Sequence, residues 1–203
     1  MIGIVDYNMG NLASVINAFA KVGVDATLES DPTKLAQYDK LILPGVGAFG
    51  DAMEHLQENG MDAAVIAYAQ SGKPLLGICL GMQLLFESSE EFGSTKGLGL
   101  IPGKVVAFDE NKFDHALKVP HMGWNALFVH KETPLFHGLN KDFYLYFVHS
   151  YHAICSDKYA IGKTHYGYEF VSAVQNKNIY GIQPHPEKSH KNGLKIIENF
   201  AKL

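Results

Sequence analysis

The chain predicts an α/β fold with a mostly parallel central sheet, helices on both faces and additional antiparallel strands, formed as a single domain over residues 1–203. Three observations predict it. Short apolar runs alternate with helix-forming stretches through the first half, the runs end in glycine or proline turns, and after Gly97 strand-type segments outnumber helical ones. With 203 residues and 47% hydrophobic content, the chain can bury one substantial core.

The elements follow in order. Ile2 to Asp6 reads as a buried strand, and a polar turn over Tyr7 to Asn11 leads into a helical stretch from Leu12 to Val22 that stops at Gly23. Asp25 to Leu28 is a short strand, Asp31-Pro32 a helix-start signal, and Leu41 to Leu43 a strand entering Pro44-Gly45-Val46-Gly47. Helical stretches from Ala48 to Asn59 and Met61 to Ser71 precede the strand Leu75 to Ile78 and a helix over Met82 to Ser88. Strands are then expected at Lys104 to Phe108, Tyr144 to Val148, Val171 to Gln175 and Ile179 to Gln183, with a turn at Asn176-Lys177-Asn178 and a closing helix from Gly193 to Lys202.

Composition narrows the function classes. A formal charge of −4 and the absence of a basic cluster argue against nucleic acid as the main partner. No apolar run approaches the roughly 18 residues of a membrane span. Two widely separated cysteines with no secretory signal fit a reducing, cytoplasmic setting, with both thiols free.

Cys79 carries the chemistry. Gly77-Ile78-Cys79-Leu80-Gly81 ends an apolar strand and leads into a helix, the pattern of a nucleophile elbow with sulfur in place of oxygen. Small flanking residues permit the strained turn, and the positive end of the helix would favour thiolate, with a thiol pKa below the free value of roughly 8.5. The plainer alternative, a small buried hydrophobe, suits Cys155. A nucleophile needs a base, and among ten histidines His185 stands out at the end of an apolar strand, in Pro184-His185-Pro186-Glu187. In an extended segment Glu187 would share a face with His185 and hold its tautomer.

A tetrahedral oxyanion needs donors. The Leu80 N–H is the first choice, and the backbone of Gly45, Val46 and Gly47 offers a second. Gln83, four residues after Cys79, lies one helical turn away on the same side, where its amide can bind a substrate. No metal is expected: His149 and His152, three apart on one strand, would point to opposite faces.

On Gly77-Ile78-Cys79-Leu80-Gly81-Met82-Gln83 followed by His185-Pro186-Glu187, the chain resembles the class I (triad) glutamine amidotransferases. Within that family, Pro44 to Met53, Val119 to Asn125 and Tyr146 to Tyr151 look like the glutaminase subunits of imidazole glycerol phosphate synthases, with the resemblance running from Asp6 to His190. The resemblance implies hydrolysis of L-glutamine to glutamate and ammonia, with Cys79 as nucleophile, His185 as acid and base, and Glu187 as orienter. It implies no cofactor. Gln83, Glu91, Ser150 and Tyr151 would hold the substrate's amino-acid end. The partner implied is a TIM-barrel cyclase subunit, bound as a heterodimer, which uses the ammonia to make imidazole glycerol phosphate and aminoimidazole carboxamide ribotide in histidine biosynthesis. His121, Met122, Trp124 and Asn125 would lie toward it. Pro184 departs from the family pattern, which places an aromatic residue before the histidine.

Three other readings compete. The same glutaminase could feed an amidine- or amide-forming enzyme of surface-sugar synthesis, the chain could be a non-catalytic regulatory subunit, or the elbow could belong to another hydrolase or a redox sensor. The combination of Cys79, Gln83, His185 and Glu187 favours the amidotransferase.

Overall fold

In a computed structural model describing residues 1–203, the strands Ile2–Val5 and Leu75–Ile78 are apolar and buried along their whole length because they are covered on both faces. β1 (Ile2–Val5), β2 (Ala26–Glu29), β3 (Lys40–Leu43) and β4 (Leu75–Ile78) pair in parallel in the order β2-β1-β3-β4. The helices α1 (Leu12–Lys21), α2 (Phe49–Gln57) and α3 (Met61–Gln70) fill the crossovers. Asp31 caps a 3₁₀ turn over Pro32–Gln37, accepting the Thr33 N–H, as the Asp-Pro signal predicts.

The chain then continues through α4 (Leu80–Leu84), β5 (Phe86–Ser89), β6 (Thr95–Lys96), β7 (Ile101–Ala107), β8 (His121–Val129), β9 (Asp142–His149), β10 (Tyr151–Ile154), β11 (Ala160–Tyr166), β12 (Tyr168–Asn176), β13 (Ile179–Ile182) and α5 (His190–Ala201). The sheet order extends as β2-β1-β3-β4-β13-β12-β10-β7-β5-β6, and the antiparallel pair β8–β9 joins through β11. The decisive pairing is β13 against β4. It is parallel, with Ile182 opposite Ile78, so the residues that follow both strands emerge side by side at one sheet edge.

Alternation along the strands supplies two core faces. Val5, Leu41, Leu43 and Leu75 pack toward α2 and α3, whereas Ile4, Ile42, Leu76 and Ile78 pack toward α1 and α5. No helix is long and apolar enough to cross a membrane.

The structure differs from the sequence expectation in several places. The elbow helix is one short piece, Leu80–Leu84, and the second half of the stretch expected as helix is β5. Phe86 and Ser89 are buried while Glu87 is exposed, and the segment pairs with β7, so cross-strand pairing overrides local helix preference. The Val119 to Asn125 segment is largely strand β8, and β11 is a further strand without a sequence expectation. His149 and His152 do not lie on one continuous strand: the chain breaks at Ser150, and both rings turn to the same aromatic cluster, 5.2 and 4.8 Å from Phe108.

Candidate active site

Cys79 stands at φ 55°, ψ −113°, a conformation that side-chain-bearing residues rarely adopt. The flanking glycines are demanded by packing. A Cβ on Gly81 would sit 1.8 Å from the Leu43 carbonyl oxygen, and one on Gly77 would sit 2.6 Å from the Gly81 carbonyl oxygen. The elbow is pressed against β3 and folded tightly on itself, and the Cys79 N–H ties it to β13 by donating to Ile182 O at 2.8 Å. Its thiol lies within 3.9 Å of the Val148 carbonyl oxygen.

His185 reaches the same place from β13. Its N–H donates to Tyr146 O at 2.9 Å, and its side chain lines the cavity that Cys79 lines. Pro186–Lys188 forms a 3₁₀ turn, so Glu187 meets His185 around a tight turn and not along an extended strand as the sequence suggests. The outcome is nevertheless a close pair: Nδ1 of His185 is 2.7 Å from Oε1 of Glu187, with both side chains 2% exposed. Nε2 has no protein partner. Burial alone would lower the imidazole pKa, but the neighbouring Cys79 side chain and Glu187 outweigh it and push the value up to about 10.

The cavity above Cys79 is about 330 Å³ and is lined by Val46, Gly47, Leu80, Gln83, Glu91, Ser150 and Tyr151, together with Pro120, Val148 and His149. Of the proposed oxyanion donors, Leu80 opens α4 directly after Cys79, and Val46 and Gly47 face it across the cavity, with Gly47 at φ 97°. Gly45 is not on the cavity wall. It lies behind it, where a Cβ would come within 2.7 Å of the Tyr7 hydroxyl and 3.0 Å of Gly81 N.

Gln83 is buried, 4% exposed, and not a solvated helix residue. Its NH₂ donates to Tyr151 O at 3.1 Å and to Gln183 Oε1 at 3.0 Å, which leaves Oε1 as the atom it can offer a ligand. Glu91 accepts the Phe49 N–H at 3.0 Å through Oε2, at the start of α2. Burial raises its carboxyl pKa, against the opposing effect of that N–H. Two open acceptors, Gln83 Oε1 and Glu91 Oε1, suit an ammonium group. The cavity walls carry no lysine or arginine, so backbone N–H groups and the Ser150 hydroxyl are left for a carboxylate.

The residues expected at a partner surface separate. On β8 and β9 alternate side chains face out, and Met122 (61%), Trp124 (47%) and Tyr144 (58%) form an exposed apolar patch, with the Trp124 ring stacked on His190 at 5.0 Å. His121 points the other way and is buried, which corrects its placement at a surface. Its Nδ1 meets His149 Nε2 at 2.9 Å and its Nε2 meets Asn125 Nδ2 at 3.1 Å, while His149 Nδ1 donates to Tyr151 O at 2.8 Å. Burial holds His121 at about 4 and, together with the crowding of His149 by His121, His152 and His185, holds His149 at about 3, so both rings are neutral. Asn125 is half-buried on the same face of β8 as His121, donating to His121 Nε2 at 3.1 Å and to His165 O at 2.9 Å. The period-2 pattern of β8 separates these residues, and it is legible only once the segment is known to be a strand.

Sequence reasoning missed Gln183 and His149 as neighbours of the site. A polar residue ending the apolar run of β13 was the available signal for Gln183, while His149 is placed by the β8–β9 pairing alone. No group of three or more His, Cys, Asp or Glu side chains is arranged to hold a metal ion.

Comparison with known proteins agrees with this arrangement. Residues 3–203 match the family described as Glutamine amidotransferase class-I. The chain is 71% identical over 203 residues to the imidazole glycerol phosphate synthase subunit HisH of Sulfurimonas denitrificans, covering 100% of this chain and 98% of that one. It is 56% identical over 204 residues to the subunit of the same name from Wolinella succinogenes, covering 100% of each. Among solved structures, PurLQS from Thermotoga maritima has a TM-score of 0.78 at 22% identity over 99% of this chain and 97% of that one. A structure described as glutamine amidotransferase has a TM-score of 0.76 at 18% identity, over 100% and 99%. These two likenesses bear on the fold, while the sequence match extends across the elbow, the histidine turn and the cavity walls. The chain therefore belongs to the class I glutamine amidotransferase family.

Proposed function

We propose that this chain is the glutaminase subunit of an imidazole glycerol phosphate synthase, hydrolysing L-glutamine at Cys79 and passing ammonia to a cyclase subunit. The observation that carries the chemistry is one cavity in which Cys79, at the tip of a strained elbow, and His185, backed by buried Glu187, meet beside Gln83 and Glu91. Cys79 attacks the side-chain carboxamide and forms a thioester. His185 takes the thiol proton and delivers it to the leaving amine, and Glu187 stabilises the imidazolium. Leu80, Val46 and Gly47 supply backbone donors for the oxyanion, with Gly45 shaping the loop behind them. Glu91 and Gln83 receive the substrate's ammonium, and Ser150 and Tyr151 lie beside them. Water then releases glutamate.

The pathway rests on the full-length relatives, named as synthase subunits, at 71% and 56% identity. They disfavour the surface-sugar alternative, and the assembled site disfavours a non-catalytic role. The exposed patch at Met122, Trp124 and Tyr144 suits a heterodimer with the cyclase, a TIM barrel in this reading, with His121 and Asn125 bracing the strand from behind. The setting we infer is cytoplasmic.

Glutamate release by the purified chain, alone and with its organism's cyclase subunit plus the ribulosyl intermediate, tests this. Strong stimulation by partner and intermediate together is expected. Turnover that ignores the cyclase would keep the Cys79 chemistry but refute the pathway.

A further inference from the structure

Gln183 is fully buried, lies outside the Cys79, His185 and Glu187 set, and donates its Nε2–H to Cys79 Sγ at 3.7 Å. Which end of its amide faces the sulfur is decided by a series of neighbours. The Tyr151 carbonyl can only accept, so Gln83 turns its NH₂ toward it at 3.1 Å. The second N–H of that NH₂ points at Gln183, 3.0 Å away, where only Oε1 can accept. Gln183 therefore presents its own NH₂ to Cys79. Reversing the amide would set two donors against each other and an oxygen against the sulfur, both in a buried setting.

We propose that Gln183 is a positioning residue for the nucleophile: its amide, oriented through Gln83 by the Tyr151 carbonyl, donates a hydrogen bond that favours the Cys79 thiolate and holds the sulfur toward the cavity. An N–H bond to sulfur is stronger when the sulfur is charged, so it assists the attacking state more than the thioester that follows. The same chain links the nucleophile to the substrate pocket, because Gln83 Oε1 remains open to a ligand's ammonium. The proposal rests on the reading of Cys79 as the nucleophile.

Alkylation of Cys79 by iodoacetamide in the full chain, followed by peptide mass spectrometry over a pH series, tests it without glutamine. Peptide mapping separates Cys79 from Cys155. Gln183→Met keeps the volume and removes the donor. Alkylation about tenfold slower near neutral pH is expected, in line with the strength of a hydrogen bond to a charged group. Gln183→Glu, which places an acceptor against the sulfur, should slow it further. Gln83→Leu leaves Gln183 in place but frees its amide to rotate, and should slow alkylation by a smaller factor. Unchanged profiles in Gln183→Met and Gln83→Leu, with wild-type circular dichroism, overturn the proposal. If Gln183→Met does not fold, the Gln83→Leu profile decides. A wild-type chain whose Cys79 shows the expected alkylation pattern but which releases no glutamate from glutamine, with or without the cyclase, would count against the proposed function and leave this hydrogen bond standing.

Discussion

His185 and Glu187, two residues apart across a 3₁₀ turn, form a buried pair in which imidazole Nδ1 lies 2.7 Å from carboxylate Oε1. The pairing directs Nε2, which has no protein partner, into the cavity that Cys79 lines. A ring held by one nitrogen is available for proton transfer at the other.

Replacing Glu187 with Gln removes that direction. An amide can accept from or donate to Nδ1, so the useful tautomer is no longer enforced. Glutamine turnover should fall by roughly 10²- to 10⁴-fold, the usual scale for general acid–base assistance, with a smaller change in KM. Steady-state kinetics of the partnered complex measure this, and a loss under threefold would remove Glu187 from the mechanism.

The raised pKa of His185 also predicts how stability changes with pH. Its folded-state value of about 10 lies above the ordinary 6.5, so its contribution is complete below about 6.5 and is lost as pH rises through about 10. Thermal midpoints taken across that window should decline for the wild-type chain. In Glu187→Gln, which lacks one of the two neighbours that raise the value, the decline should be smaller. Parallel declines would show that other groups set the dependence.

The backbone strain at Cys79 predicts a stability gain from an inactive variant. Cys79→Ala keeps φ 55° on a residue with a Cβ, whereas Cys79→Gly relieves it. Strain of this kind costs on the order of 1–3 kcal/mol, and glycine gives back part of that through the unfolded chain, so Cys79→Gly should be about 1 kcal/mol more stable than Cys79→Ala. Denaturant titration compares them. Both should lose glutamine-dependent synthesis while keeping ammonia-dependent synthesis in the partnered complex.

Trp124 is half-exposed and stacked flat on His190, with an interplanar angle of 3°. A rigid aromatic side chain in an apolar patch is the kind of residue that dominates an interface. Trp124→Ala should weaken cyclase binding by about 2 kcal/mol, near thirtyfold, while the isolated chain's stability changes by less than that. Titration calorimetry gives the first value and thermal unfolding the second. Unchanged affinity would move the interface elsewhere.

Much of this protein is local in origin and so legible in its sequence. The β-α alternation of the first half follows from apolar runs punctuated by Gly23, Gly72 and the Asp31-Pro32 cap, because turn chemistry and periodicity act over a few residues. The glycines around Cys79 announce the elbow for the same reason. The tertiary structure alone decides the parallel pairing of β13 with β4, which brings His185 to Cys79 across more than a hundred residues. Pairing across such a separation depends on which sheet edges remain open, not on local preference. It also decides that Phe86–Ser89 is strand, that His121 faces inward while Trp124 faces out, and that Gln83 gives both its N–H groups to the protein. Those outcomes depend on neighbours distant in the chain, and a residue's own identity carries no record of them.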